Sequence, residues 1–225
     1  MKIVYPDQFS FEYSYKEIFI DKIYDGMLDC TSIFGVNIID CGANIGLSSL
    51  WFDQNYGHSA KILAFEPSSA FKYLEQNVKG NNNITIVNKA LSSEKGKMKF
   101  YEEKDKIGSL LSRFDSKGFD DMNKKFVEKI VIAVKLSDYI KEHIDLLKID
   151  VEGAEGDILI DIMNTGKINL IDNMIIEVHH NVEKVSKIVS ILSSLKDFDV
   201  RFFADKKLTR KNQDVILYCK RRKTC

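Results

Sequence analysis

An α/β sandwich around a largely parallel central sheet is the fold this sequence predicts, on three observations. Apolar segments of strand type and of helix type alternate along much of the chain, the pattern left by strands joined through crossover helices. Runs such as "NIID" and "KILAF" are nearly continuous in apolar residues, as strands covered on both faces require. Finally, "NIIDCGANIGLSSLWF" (37–52) passes from an apolar strand through a glycine-bearing turn into an apolar helix, and open α/β sheets bind ligands beyond such strand ends.

The elements follow in order. "VNIID" (36–40) reads as a buried strand, and "IGLSSLWFDQNY" (45–56) as a helix with Leu47, Leu50 and Trp51 on one face. "AKILAFE" (60–66) is a second strand. "PSSAFKYLEQNVKG" (67–80) is a helix, with proline near its first turn and Gly80 as its stop. "ITIVNKAL" (84–91) is a third strand. "KMKFYEE" (97–103) alternates like an edge strand, and "KIVIAVKL" (129–136) is placed to pair with it. The polar stretch between them, 102–125, reads as a long loop or lid. "SDYIKEH" (137–143) suggests a short helix, "IDLLKIDV" (144–151) a strand, and "EGDILIDIMNTG" (155–166) a helix closing on Gly166. "NMIIEVHH" (173–180) is a strand and "VEKVSKIVSILSSL" (182–195) an amphipathic helix. "DVRFFA" (199–204) and "DVILYCK" (214–220) are close enough to form an antiparallel pair.

Composition narrows the classes. The 225 residues are 44% hydrophobic and 29% charged, with 33 basic and 33 acidic side chains, so one globular domain without a global field for nucleic acid is expected. Residues 1–35 would cover it and 97–136 would be an insertion. The last 25 residues hold nine Lys or Arg against two Asp; a solvated tail is favoured over a phosphate-binding patch. Cys30, Cys41, Cys219 and Cys225 form no C-x-x-C pair, which points to neither zinc nor a disulfide framework. No apolar leader or membrane-length run is present, so a cytoplasmic protein is expected.

The turn after the first strand reads D-x-G-x-x-x-G, from Asp40 through Gly42 and Gly46. It is neither the G-x-G-x-x-G of dinucleotide binders nor a phosphate loop ending in Gly-Lys-Ser/Thr. Nothing basic lies in it. Asp40 would repel phosphate and suits a ligand with a cationic part. Glycine permits the positive φ and close approach such a turn needs, and Asn44 is placed to cap the following helix. Glu66 ends the second strand, 26 residues after Asp40, where an acid can accept both hydroxyls of a ribose. The competing reading is an acid favouring the dipole of the next helix.

Together, "IIDCGANIGLSS", "LAFEPSSAFKYLEQN", "NKALSSEKG" and "DLLKIDVEGAEGDIL" resemble the FkbM family of S-adenosylmethionine-dependent methyltransferases over residues 36 to 180, most specifically at "KIDVEGAE". The resemblance implies a class I methyltransferase (Rossmann-like) sheet of seven strands with the last antiparallel. It places Asp40, Gly42, Asn44 and Gly46 under the methionine part of S-adenosylmethionine and Glu66 on its ribose. Asn88, Lys89 and Ala90 would border the adenine. S-adenosylhomocysteine would be the product.

Asp150 and Glu152 follow the strand that this topology sets beside the first one, so they would face the reacting centre. An acceptor hydroxyl needs a proton sink, which Asp150, Glu152 or His179 can supply. Glu177 and His179 share a strand face, opposite His180. Asp150, Glu177 and His179 are also possible ligands of a divalent cation, a less favoured reading, and no metal is assigned. Asp150 is placed with the cofactor as well. Ser109 and Arg113, in the polar loop, are further candidates for touching ligand. Phe11, Tyr13, Tyr15, Phe19 and Tyr24 form an aromatic stripe that more often packs a core than covers a cofactor.

The expected activity is O-methylation of a small molecule, a sugar or a secondary metabolite; the hydroxyl preference rests on the resemblance. "DVEG" stands where amino-directed nucleic-acid methyltransferases carry N/D-P-P-Y, and no nucleic-acid partner is expected. The rival readings are a nicotinamide-dependent oxidoreductase, which the glycine spacing disfavours, and a non-catalytic Rossmann-like binding module.

Overall fold

The computed structural model describes residues 2–26, 35–104, 125–178, 182–204 and 215–222. The chain opens with α1 (Gln8–Tyr15) and a π-helical turn, Lys16–Ile20. Asp7 starts α1 by accepting from the Ser10 amide at 2.8 Å, the usual satisfaction of a free N-terminal amide. Then β1 (Asn37–Cys41), α2 (Leu47–Asn55), β2 (Lys61–Phe65), α3 (Phe71–Asn77) and β3 (Ile84–Val87) alternate. β4 (Ala90–Leu91), β5 (Gly96–Glu103) and β6 (Phe126–Val134) follow, and β7 (Ile144–Ile149), α4 (Glu155–Asn164), β8 (Ile171–Val178) and α5 (Val182–Ser194) resume the alternation. β9 (Phe198–Ala204) and β10 (Val215–Arg221) close it.

The main sheet has the order β3-β2-β1-β7-β8-β10-β9. β3, β2, β1, β7 and β8 pair in parallel, and β10 runs antiparallel to both β8 and β9. This is the seven-stranded α/β fold that the resemblance implied. Side chains alternate between two apolar layers, as the period of two dictates. Ile39, Cys41, Leu147 and Ile149 face α4 and α5, through Ile158, Ile162, Ile188 and Leu192. Ile38, Ile62, Leu146 and Ile175 face α2 and α3, through Leu50, Trp51 and Leu74. Fully burying one such Leu or Ile contributes about 1.5–3 kcal/mol.

Strand order also places the site. The chain runs outward from β1 to β3 and then returns to set β7 on the other side of β1. The carboxyl ends of β1 and β7 therefore flank a topological switch point, where helices on either side leave a crevice.

Several boundaries differ from the sequence reading, each for a local reason. The third strand stops at Val87, because Asn88 turns its amide nitrogen onto the Glu66 carbonyl (2.8 Å). Ala90 and Leu91 then join a separate three-stranded sheet, β4-β6-β5. In that sheet β5 and β6 form the expected antiparallel hairpin; its connection, 105–124, is outside the described residues. α3 begins at Phe71, not at Pro67, because the Ser68 hydroxyl accepts from the Ala70 amide (3.0 Å) and holds a turn there. The helix expected at 137–143 is one 3₁₀ turn, Leu136–Asp138. Ser137 gives both its amide and its hydroxyl to Asp161, which binds that turn to α4.

The aromatic stripe is core only at one end. Tyr24 is buried against Trp51 and Phe52. α1 buries no residue, and Tyr5, Phe11, Tyr15 and Phe19 form a run of ring contacts along its side. Asn77 holds the front of this segment, accepting from the Val4 amide (2.7 Å) and donating to the Val4 carbonyl (2.9 Å). The Tyr218 hydroxyl holds its rear, donating to the Ile23 carbonyl at 2.7 Å. Residues 2–26 thus form a strap, and no described helix is long and apolar enough to cross a membrane.

Candidate active site

A cleft opens at the carboxyl ends of β1, β2 and β7. Its floor is the turn after β1. Gly42 and Ala43 donate their amides to the Phe65 carbonyl (3.0 and 2.9 Å), and Asp150 donates its amide to the Cys41 carbonyl (3.0 Å). Gly42 has φ +83°, and a Cβ there would lie 1.7 Å from the Asp150 carbonyl oxygen. Only glycine fits. Gly46, at φ +95°, starts α2, and a Cβ there would meet Leu74 at 2.8 Å. The helix is therefore capped by backbone geometry, and Asn44 does not cap it. Asn44 sits at φ +48° and gives its amide to Glu66.

Glu66 lines the cleft and is buried. Its Oε2 accepts from the Asn44 amide and its Oε1 from the Ser68 amide, each at 2.8 Å. Burial raises its pKa above the ordinary value, while the bonds from Ser68 and Asn44 and the field of Lys148 pull the other way. The carboxylate is preset by these bonds. Since α3 starts five residues later, the dipole reading of Glu66 does not hold. Of the three residues expected at the adenine, Lys89 lines the cleft and gives its ammonium to the Tyr139 hydroxyl (3.3 Å). Ala90 is buried in β4, and Asn88 serves the Glu66 backbone.

Asp40 is not on the cleft wall. It is fully buried beneath the turn, where its Oδ2 accepts from Ser48 and Ser49 hydroxyls, both at 2.6 Å. Its Oδ1 lies 3.1 Å from the Lys148 ammonium. That lysine, which sequence reasoning passed over, is only 2% exposed, one residue before the end of β7. Its Nζ also reaches Asp150 Oδ2 (3.2 Å), the Gly42 carbonyl (3.0 Å) and, more distantly, the Cys41 carbonyl (3.5 Å). Burial would lower its pKa, but Asp150 and Asp40 together hold it well above the ordinary lysine value. A signal existed: a lysine inside the apolar run "IDLLKI" must find carboxylates, since buried charges are paired. Asp40 is its cross-strand neighbour.

Asp150, Val151 and Glu152 form the opposite wall. Glu152 reaches the cleft through a turn at φ +54°, not by strand alternation, since β7 ends at Ile149. Non-glycine residues in this region are strained and concentrate at functional sites; Asn44 and Glu152 both border this cleft. A further wall comes from the strap, with Ser10, Phe11, Ser14, Ile18 and Tyr24, and Leu91 and Phe100 of the small sheet also line the cleft. Glu177 stands half-buried on β8, close enough to influence Tyr24 and Tyr218 electrostatically. His179, His180, Ser109 and Arg113 lie outside the described residues, as does part of the basic tail. Cys41 is buried, and burial, with Asp40, pushes its thiol pKa well up, which suits a small apolar filler. Among the described residues, His143, Asp145 and Asp172 come within 4.8 Å of one another at the far end of the sheet, where Arg221 also approaches Asp172.

A family model described as methyltransferase FkbM domain matches residues 40–202. Methyltransferase 1 of Beauveria bassiana (strain ARSEF 2860) is 31% identical over 186 residues, spanning 74% of this chain and 72% of that protein. Methyltransferase sdnD of Sordaria araneosa is 33% identical over 180 residues, spanning 66% and 67%. The crystal structure of methyltransferase FkbM from Methylobacillus flagellatus KT superposes with a TM-score of 0.61 over 88% of this chain. At 16% identity that likeness concerns the fold, and this chain spans 46% of the compared one.

Proposed function

The chain belongs to the methyltransferase FkbM domain family, and from that premise we propose that it methylates a hydroxyl of a small molecule, a sugar or a secondary metabolite. S-adenosylmethionine is the methyl donor that the family uses. The residues present fit it. Glu66, preset by two backbone amides, would take the ribose hydroxyls. The turn from Gly42 to Gly46 would lie along the amino-acid end. Lys89 would border the adenine.

The observation that carries the proposal is the single cleft joining Glu66 at one strand tip to Asp150 and Glu152 at another. A bound donor supplies a methyl carbon on a sulfonium; transfer breaks the carbon–sulfur bond, forms a carbon–oxygen bond and leaves S-adenosylhomocysteine. The chain's own task is alignment and exclusion of water. Val151, Phe11, Ile18 and Tyr24 provide apolar wall for that. Asp150 and Glu152 provide carboxylates, one of which takes the proton that the acceptor hydroxyl gives up. His179 is the third candidate for that proton. The strap, closing one side, supports a small acceptor over a nucleic-acid strand.

The sequence's rival readings stand differently now. Family membership decides against the nicotinamide reading and the non-catalytic module. The test of the finer proposal is transfer of labelled methyl from S-adenosylmethionine to a panel of hydroxylated compounds and their amine counterparts. Label in methyl ethers is expected. Label only in the amines would overturn the hydroxyl assignment.

A further inference from the structure

The buried ion group under the turn is larger than fold stability alone requires. A lysine in the interior of a parallel strand is costly, and an apolar residue of similar volume would serve packing as well. Here the ammonium has three donors and three close acceptors, Asp40 Oδ1 at 3.1 Å, Asp150 Oδ2 at 3.2 Å and the Gly42 carbonyl at 3.0 Å. Each belongs to a different part of the cleft: the strand beneath it, the wall and the floor. Asp40 is satisfied from its other side by Ser48 and Ser49. Asp150 is not enclosed in the same way: its side chain is 25% exposed and borders the cleft.

The charge count gives the group a purpose. Two carboxylates and one ammonium leave one net negative charge, and of these two carboxylates it is Asp150 that borders the cleft. The donor is a cation at both its sulfonium and its ammonium.

We propose that Lys148 is a positioning residue for the cofactor: it cancels Asp40, fixes the Asp150 carboxylate at the cleft and anchors the Gly42 carbonyl on the floor. This rests on the donor reading above. Lys148 borders the cleft but is only 2% exposed, and it acts through Asp150. The rival is a purely structural tie between β1 and β7, which would leave cofactor affinity alone in any variant that folds.

The test is calorimetry of the full chain with S-adenosylmethionine and S-adenosylhomocysteine. The variants are Asp150→Asn, the pair Asp40→Asn with Lys148→Met, and all three together. The paired change removes both fully buried charges at once and leaves Asp150, which borders the cleft, without its ammonium. It is expected to melt within a few degrees of wild type, yet to bind S-adenosylmethionine about tenfold more weakly or worse. Asp150→Asn should lose a comparable factor, and the triple variant no more than either, because both changes act through one carboxylate. Wild-type affinity in the paired variant, or losses that multiply in the triple, would overturn the proposal. If the paired variant does not fold, Lys148→Arg keeps the charge and disturbs the geometry. A loss there that vanishes in the Asp150→Asn background supports the proposal, and an unchanged or independent loss overturns it. A wild-type chain that binds neither compound would sink the donor reading itself, and this inference with it.

Discussion

The floor of the cleft and the strap across it are built by opposite means. The floor is the meeting of two buried parallel strands, locked by backbone bonds, by a buried ion group and by a glycine with no room for a Cβ. The strap spends no buried residue on α1 and is held by Asn77 at one end and Tyr218 at the other. The family match begins at residue 40 and leaves the strap out. The contrast separates a floor fixed by the sheet from a wall whose sequence can change without disturbing the sheet.

The sharpest way to break this comparison is Gly42→Ala. The added methyl would enter the space of the Asp150 carbonyl, 1.7 Å away, at a φ that alanine rarely adopts. A loss above about 4 kcal/mol is expected, seen as insoluble protein or as a folded variant without cofactor affinity. A soluble variant that binds S-adenosylmethionine normally would mean that the floor is not rigid.

A smaller effect, on the ligand alone, is expected at Glu66. Glu66→Ala should weaken S-adenosylmethionine binding by about 1–3 kcal/mol, the scale of charge-assisted hydrogen bonds, in calorimetry on folded protein. The pH dependence has a definite sign. Binding needs the carboxylate, and burial raises its pKa above 4.5, so affinity should fall on acidification at a pH higher than an ordinary glutamate would give. The stability contribution runs the other way: it is present below about 4.5 and lost as pH rises through the raised value. An affinity flat with pH through this range in wild type would remove Glu66 from the ribose.

The smallest effect belongs to the strap. Asn77→Ala removes the bonds to Val4 and one to the Ile45 carbonyl at 2.8 Å. Partly exposed bonds of this kind contribute about 1 kcal/mol. The melting temperature should drop by a few degrees, and limited proteolysis should cut within residues 2–26 sooner. A cleavage pattern identical to wild type would show that the strap is held elsewhere, and the contrast with the floor would shrink.

What was legible followed from periodicity and from glycine. The apolar runs at 36–40, 60–66 and 144–151 announced parallel strands, and D-x-G-x-x-x-G announced a turn too tight for side chains. Glu66 was legible as an acid at a strand end, and the structure sets it in the cleft. Asp40 was read as an acidic lip, yet it is fully buried. The error came from treating each acid alone, when the cation that neutralises it lies 108 residues further along the chain. Lys148 was hidden for the same reason: its function exists only where β1 and β7 are neighbours. The helices expected at 67–80 and 137–143 shrank because single serine side chains captured backbone amides or an acid from another helix, and propensity does not register such contacts.

By itself the sequence determined the alternation of strands and helices, the turn at Asp40–Gly46 and the acid at Glu66, because these depend on local periodicity and on single-residue sterics. Only the tertiary structure decided which carboxylate faces the cleft and which is buried beneath it, and that the aromatic N-terminal segment is core at Tyr24 and cleft wall along α1. Those outcomes depend on burial and on charges brought together across strands, and the energy of a charge is set by what surrounds it in space.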